Sequence, residues 1–243
     1  MRHSRTASLV SRAVLALVLG VAAVAAAADR NKPVGDRYWL SPEFANYPIA
    51  SIAMLPPATY DGNLENRKLV ENAIGQSLRG SGHRWVSPFL VRDYLLKSGG
   101  DSLTKAIHDK LLRNPRIDSL DAPFLSRALR TRAILTVRID QMERRELEQG
   151  QSGRPTTTVQ LRAALVDSTG RLLWTVNSSE TAEGSQQEAQ ANVIGVKVSG
   201  LNNSAIGGTS PAPLFQEVLL KICRRWAEQF PRKAAPDTAG TAK

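Results

Sequence analysis

The chain has 243 residues, 42% of them hydrophobic and 5% aromatic, with a formal net charge of +10 at pH 7. This length and composition are typical of one globular domain with a buried core, and they exclude a wholly disordered chain. Cys223 is the only cysteine, which excludes an intramolecular disulfide. Basic pairs such as Arg144-Arg145 are scattered and not interleaved with aromatic residues, so nucleic acid is not a predicted partner.

The first 28 residues have the pattern of a secretory signal peptide. Three arginines precede an apolar run at 13–24, and four alanines at 25–28 offer an A-x-A cleavage site. The run is shorter than the roughly 20 residues that a membrane-spanning helix needs, so we favour cleavage after about Ala28 over a retained anchor. No cysteine lies near that point to carry a lipid. The protein is therefore predicted to be periplasmic or in the cell envelope, not lipidated, and without an integral membrane span.

Residues 29–48 show neither helical nor strand periodicity and are interrupted by proline and glycine. They are predicted to form an extended arm in front of the domain. The arm concentrates four large aromatic side chains, Tyr38, Trp39, Phe44 and Tyr47. Two interpretations are open. The rings could pack back on the domain, which we favour, or they could contact a partner protein, because amphipathic rings are enriched at interfaces.

Residues 49–230 are predicted to form a single α/β domain. The domain opens with a nearly continuous apolar run at 49–55, stopped by two prolines, which is typical of a central strand buried on both faces. Apolar residues recur at helical spacing between Val70 and Leu78. A short strand at 83–86 then leads to Ser87-Pro88, an N-cap followed by a first-turn proline. This alternation favours right-handed crossovers and parallel strands.

Further elements are predicted before residue 155. The Ser-Gly-Gly at 98–100 breaks the second helix, and another helix covers 103–112. Asp121 is predicted to cap a short helix. Residues 133–139 read as a strand whose odd-numbered residues face inward. The charged run 141–154 is predicted to be an exposed turn between antiparallel strands.

Residues 156–177 are predicted to form a β-hairpin. Hydrophobic residues alternate with period two on both sides of a turn. They are Val159, Leu161, Ala163 and Leu165 before the turn and Leu172, Trp174 and Val176 after it. The turn sequence Asp-Ser-Thr-Gly at 167–170 supplies an aspartate that can accept hydrogen bonds from the following amides and a glycine for positive φ.

The final helix is the clearest element. Its apolar face lies between Pro213 and Pro231. The face consists of Leu214, Phe215, Val218, Leu219, Ile222, Cys223, Trp226 and Phe230. Residues 190–210 are predicted to be a mobile loop, and 231–243 a disordered tail. The whole pattern predicts an α/β sandwich of two or three layers. Its mixed sheet has about four to five strands with flanking helices, in the order βαβααββ(β)α.

No motif for catalysis, cofactor binding or metal binding is found in the sequence. Outside the first 28 residues the only histidines are His83 and His108, and neither lies in a recognisable motif. Cys223 is on the apolar face of the last helix, where a thiol acts as a small hydrophobe. The glycine-rich stretch 195–208 lacks the ending of a phosphate loop. We therefore predict no catalytic, cofactor-binding or metal-binding residues and expect no cofactor.

Four stretches resemble the superfamily of envelope proteins related to the curli-secretion lipoprotein. This superfamily includes activator lipoproteins of penicillin-binding proteins, polysaccharide-export lipoproteins and periplasmic lipoproteins of unknown function. The stretches are 49–57, similar to "sIaVLPp"; 82–88, similar to "GyrvvP"; 129–137, similar to "lgaDavl"; and 166–174, similar to "lvDxxTGexlW". Within the third, Arg130-Thr131-Arg132 stands where the family has Gly and Asp.

The resemblance implies an envelope module that acts by binding and has no catalytic residues to carry over. We expect a non-enzymatic accessory protein of a cell-envelope assembly, secretion or transport system. Its partner would be an envelope protein such as a transporter, a glycan synthase or a secretion channel, and a homo-oligomer is also considered. The alternatives are a subunit of an outer-membrane secretion complex, with membrane strands from 141–155 and 190–210, and an exported hydrolase with an unrecognised site.

Overall fold

The computed structural model describes residues 36–44, 47, 49–147, 151–186 and 211–232. The predicted signal peptide, the first part of the arm, the 190–210 loop and residues 233–243 of the tail lie outside these ranges. Within them, no helix is long and apolar enough to cross a membrane.

A seven-stranded mixed sheet forms the centre of the described structure. Its strands are β1 Arg37–Leu40, β2 Ser51–Met54, β3 Ala58–Thr59, β4 Arg84–Val86, β5 Ala133–Arg145, β6 Thr156–Asp167 and β7 Leu172–Glu183. The order across the sheet is β1-β7-β6-β5-β2-β4, and β3 pairs with β5. β2 runs parallel to both β4 and β5, as the alternation of strand and helix predicts. Each neighbouring pair in the series β5, β6, β7 and β1 is antiparallel.

Helices cover both faces of this sheet. They are α1 Leu64–Leu78, α2 Pro88–Arg113, α3 Asp121–Leu129 and α4 Phe215–Gln229. The Ser87 hydroxyl accepts from the amide of Leu90 at 3.4 Å, which confirms the predicted cap of α2. Gly100 interrupts α2 with φ 64° and ψ −159°, a conformation open essentially only to glycine, so the predicted break is a kink.

Two hydrophobic cores make the fold a three-layer α/β/α sandwich. The first core lies between the sheet and helices α1 and α4. The second lies under α2 and α3. Strand β5 contributes to both, because Leu135 faces the first core and Ile134 the second.

The predicted hairpin is confirmed and is longer than predicted. β6 and β7 pair from Thr156↔Glu183 to Val166↔Leu172. Asp167 Oδ1 accepts from the amides of Thr169 at 2.8 Å and Arg171 at 3.0 Å, and Gly170 has φ 87°. The Asp167 carboxylate and the positive φ of Gly170 therefore form the turn of the hairpin, as the sequence predicts.

Three predictions need correction. Residues 37–40 of the predicted extended arm form the edge strand β1, so the sheet begins before residue 49, and β1 and the short β3 raise the strand number above four to five. The segment 141–145, predicted as a turn, continues β5 along β6. Asp121 is not the cap of α3. Asp118 Oδ1 accepts from the amides of Leu120 and Asp121 instead, at 3.0 and 2.9 Å.

Candidate interaction surface

Strand β1 presents a row of large apolar side chains at the edge of the sheet. Tyr38 is 55% exposed, Trp39 44% and Leu40 42%. Among the described residues, β1 pairs with β7 alone. Monomeric proteins usually protect an edge strand of this composition, so an unprotected one marks a candidate interaction surface. We call Tyr38, Trp39 and Leu40 the β1 edge.

The two faces of the β1 edge follow from its register. Tyr38 lies opposite Val176 and Leu40 opposite Trp174, so both side chains are on the α4 side of the sheet. Trp39 lies opposite Thr175 and is on the other side. A partner that reaches this edge would meet apolar side chains on both faces.

The backbone of the β1 edge also has a defined direction. The amide of Ser41 donates to Leu173 O of β7 at 2.8 Å. Because successive residues of a strand alternate their backbone groups, Trp39 also points toward β7, and the amides and carbonyls of Tyr38 and Leu40 point outward. The edge therefore offers backbone donors and acceptors to a further strand.

A charged cluster fastens the start of β1 to α4. Arg225 donates to both carboxylate oxygens of Asp36, from Nε at 2.6 Å and from Nη2 at 3.1 Å, and its Nη1 donates to Glu180 at 2.9 Å. Partial burial raises the pKa of Asp36, but hydrogen bonds from Arg225 and Ser178 outweigh it, and the net pKa is lowered. The bidentate contact joins the start of β1 to α4, and the bond to Glu180 joins α4 to β7.

The four aromatic residues predicted as a partner-contact arm separate into two pairs. Tyr38 and Trp39 are on the exposed β1 edge, whereas Phe44 and Tyr47 are half-buried and pack against the first core. The Arg171 guanidinium lies over the Tyr47 ring, 5.3 Å from its centroid, and donates to the Tyr47 hydroxyl. Contact with a partner stays a prediction for all four. Sequence reasoning missed Leu40, because no alternation marks this short exposed strand.

His108 belongs to a polar cluster at the carboxyl end of β3. Its Nε2 accepts from the amide of Thr59 at 3.3 Å and lies 3.0 Å from Arg67 Nη2. Burial and the Arg67 charge lower the pKa of His108. Both contacts at Nε2 therefore come from within the fold, one from the backbone and one from a side chain.

His83 and Cys223 have structural environments. His83 is buried, with Nδ1 2.8 Å from Ile49 O and Nε2 3.0 Å from Pro231 O, so its ring bridges the segment just before β2 and the segment just after α4. Burial raises the pKa of the Cys223 thiol to about 12, which keeps it protonated and inert. Within the described ranges, no three His, Cys, Asp or Glu side chains are placed to hold a metal ion.

The sequence matches no protein family and no curated protein. The structure is similar to lipoprotein GNA1162 from Neisseria meningitidis, with 20% identity, a TM-score of 0.43, and coverage of 55% of this chain and 83% of that one. The PelC dodecamer from Paraburkholderia phytofirmans is 14% identical with a TM-score of 0.39, and the match covers 63% of this chain and 83% of that one. The hypothetical protein CT253 from Chlamydia trachomatis is 15% identical with a TM-score of 0.37, and the match covers 74% of this chain and 96% of that one. These identities and TM-scores are low, so they define no activity or partner for this chain.

Proposed function

We propose that this protein is a non-enzymatic accessory protein of a cell-envelope assembly, secretion or transport system. It acts by binding another envelope protein, such as a transporter, a glycan synthase or a secretion channel. The signal-peptide pattern of residues 1–28 and the four stretches of family resemblance support the location. The engaged His108 and the buried, protonated Cys223 support a role without catalysis.

The observation that carries this proposal is the β1 edge. An extended segment of the partner adds to β1 as a further strand and pairs with the outward backbone groups of Tyr38 and Leu40. The backbone bonds supply affinity, and the rings of Tyr38 and Trp39 supply apolar contact area on the two faces. The bidentate Asp36–Arg225 contact holds β1 in place before the partner arrives, which lowers the ordering cost of binding.

A proline at position 40 tests strand addition directly. Leu40→Pro removes an outward amide without removing a bond to β7, and proline is tolerated at such edge positions. Leu40→Ala is the matched control, because it removes the side chain and keeps the amide. A photoreactive residue at position 38 is expected to capture one envelope protein in intact cells. Capture should persist in Leu40→Ala and be lost in Leu40→Pro.

A photoreactive residue at position 89 controls for general surface contact. Phe89 is 70% exposed on α2, on the other side of the sheet from α4. Equal capture at positions 38 and 89, or full capture by Leu40→Pro, would contradict the proposal. If the captured protein is a second copy of this chain, the β1 edge is a homo-oligomer interface and the secretion-complex alternative replaces the accessory one. Thermal unfolding of Leu40→Pro shows whether the fold is kept.

A further inference from the structure

A cavity of about 470 Å³ opens at the amino ends of β2 and β5, away from the β1 edge. Its wall is formed by the start of β2, one side of α3, the link 130–132 and the β6–β7 turn. We call it the basic pocket. Its side chains include Ser126, Arg127, Arg130, Thr131, Arg132 and Ser168. A cavity of this volume is in the range of small-molecule binding sites.

The three guanidinium groups of the basic pocket are not neutralised. Among the described residues, no carboxylate forms an ion pair with Arg127, Arg130 or Arg132, and no acidic residue lines the pocket. Other arginines of the fold are paired, for example Arg138 with Asp140 at 2.6 Å. All three arginine residues are exposed, so their guanidinium groups are accessible to an anion in the pocket.

Asp167, the carboxylate nearest in sequence to a lining residue, already accepts hydrogen bonds within the β6–β7 turn. Asp167 precedes the lining residue Ser168, and its Oδ1 accepts from the Thr169 hydroxyl at 2.7 Å and from the amides of the β6–β7 turn. The Asp167 carboxylate therefore bonds to groups of its own turn and is not among the residues that line the pocket, whereas Ser168 is.

The backbone holds the arginines in place at a conformational cost. Arg130 has φ 50° and ψ 48°, and it is the only described residue other than glycine with positive φ. Its carbonyl accepts from Arg84 Nη2 at 3.0 Å. The amides of the next two residues donate to Ser126 O at 2.9 Å and Ser51 O at 3.1 Å. The bond from the Thr131 amide to Ser126 O is the one that ends a helix at a left-handed residue, so this conformation terminates α3 and fixes the direction of the link that bears the arginines.

Two buried hydroxyls at the pocket wall lack a hydrogen-bond partner. Ser126 is 4% exposed and Thr131 6%, and neither hydroxyl oxygen has a partner among the described residues. Buried hydroxyls are normally satisfied, because desolvating one without a bond is costly. Neither oxygen is open to solvent in the free protein, so an acceptor oxygen of a ligand reaches these two donors only if the pocket wall shifts slightly.

We infer that the basic pocket binds a terminal phosphate group. A phosphate monoester presents three terminal oxygens that share its negative charge, enough for two-pronged contacts with the arginines and, once the wall has shifted, for bonds from the two hydroxyls. The pocket has no aromatic ring on which a base could stack, and its apolar lining is limited to Ala50 and Pro123, which leaves no site for an acyl chain. The remainder of the ligand is therefore small and polar, or it stays outside the pocket.

Binding of inorganic phosphate to the purified protein tests this inference by titration calorimetry. Saturable binding is expected, with Arg130→Gly and Arg132→Gln each weakening it by about tenfold or more. Glycine adopts the backbone conformation of residue 130 without strain, so Arg130→Gly keeps the fold. Arg79→Gln removes an exposed arginine outside the pocket and should bind as the wild type does. Absence of saturable binding, or an equal loss in Arg79→Gln, would overturn the inference.

Thr131→Val separates ligand binding from a structural role of the hydroxyl. Because this hydroxyl has no partner in the free protein, its removal should raise the unfolding temperature and weaken phosphate binding. A lower unfolding temperature with unchanged binding would show that the hydroxyl serves the fold, and it would count against the site.

Vesicles identify the source of the phosphate group. Co-sedimentation with phosphatidic acid vesicles, absent with phosphatidylcholine and lost in Arg130→Gly, would assign a lipid headgroup. Saturable binding of free phosphate without co-sedimentation would assign a soluble phosphate ester. Both results support the basic pocket, and neither depends on the β1 edge, so Leu40→Pro should bind phosphate normally.

Discussion

The two faces of the sheet are packed by different kinds of side chains. Under α1 and α4, the rings of Trp174, Trp226 and Phe230 meet edge to face, with Trp174 6.1 Å from Trp226 and 5.1 Å from Phe230 between ring centroids. The core under α2 and α3 is built from aliphatic side chains such as Leu95 and Leu125. The aromatic core includes residues of β7, the strand that pairs with β1. The aliphatic core includes residues of α3, which forms part of the wall of the basic pocket. Each proposed surface therefore depends on a different core.

The largest expected effect comes from breaking the aromatic core. Trp226→Ala removes a buried ring and leaves the Ser178 hydroxyl without its 2.7 Å donor. We expect the free energy of unfolding to fall by about 3–5 kcal/mol, as for other buried aromatic truncations. Urea unfolding measures it. Trp39→Ala is the matched control on the exposed β1 edge and should stay within about 1 kcal/mol of the wild type. Similar losses for both variants would contradict the burial difference.

Breaking the aliphatic core should cost less and should affect the basic pocket. Leu125 is fully buried next to the lining residue Ser126. Leu125→Ala is expected to lower the free energy of unfolding by about 2–4 kcal/mol. Phosphate binding should weaken while partner capture at position 38 is unchanged. Loss of both functions together in the folded variant would show that the two cores are not independent supports.

The turn between β6 and β7 packs closely against the loop that precedes α3. Gly170 has φ 87°, and a Cβ at this position would lie 2.6 Å from Ser119 Cα in the loop before α3. Gly170→Ala therefore combines backbone strain with a clash against backbone atoms, and we expect a loss of about 1–3 kcal/mol. Gly80→Ala is the control, because its Cβ would meet nothing and its φ is not positive. An equal effect of both changes would exclude the close approach as the cause.

The parts of the fold that could be predicted are those whose signals are local. The hairpin follows from period-two alternation and from the side chain of Asp167, all within one short stretch. Strand β1 could not be predicted in the same way. All of its residues are exposed, so no inward face produces an alternation, and its pairing with β7 is a contact distant in sequence. The sequence points to Asp121 as the cap of α3, because two aspartates lie near the start of this helix and local spacing does not distinguish Asp121 from Asp118.

The basic pocket could not be predicted for a related reason. Its wall combines the start of β2, the α3–β5 link and the hairpin turn, and only the fold brings these together. One sequence signal was present. Arg130-Thr131-Arg132 places two positive charges within three residues. The structure shows that Arg130 adopts a positive φ, which glycine favours.

The smallest expected effect concerns the charged cluster that fastens β1. The pKa of Asp36 is lowered in the folded protein, so its contribution to stability is present above the unfolded value, near pH 4, and is lost as the pH falls through the folded value. Asp36→Asn should therefore destabilise by less than about 1 kcal/mol at neutral pH, because the site is partly exposed. The difference from the wild type should vanish in acid. Urea unfolding at pH 7 and at a series of pH values below 4 measures it, with the exposed Asp101→Asn as control. A difference that persists unchanged at low pH would mean that Asp36 holds β1 through shape and not through charge.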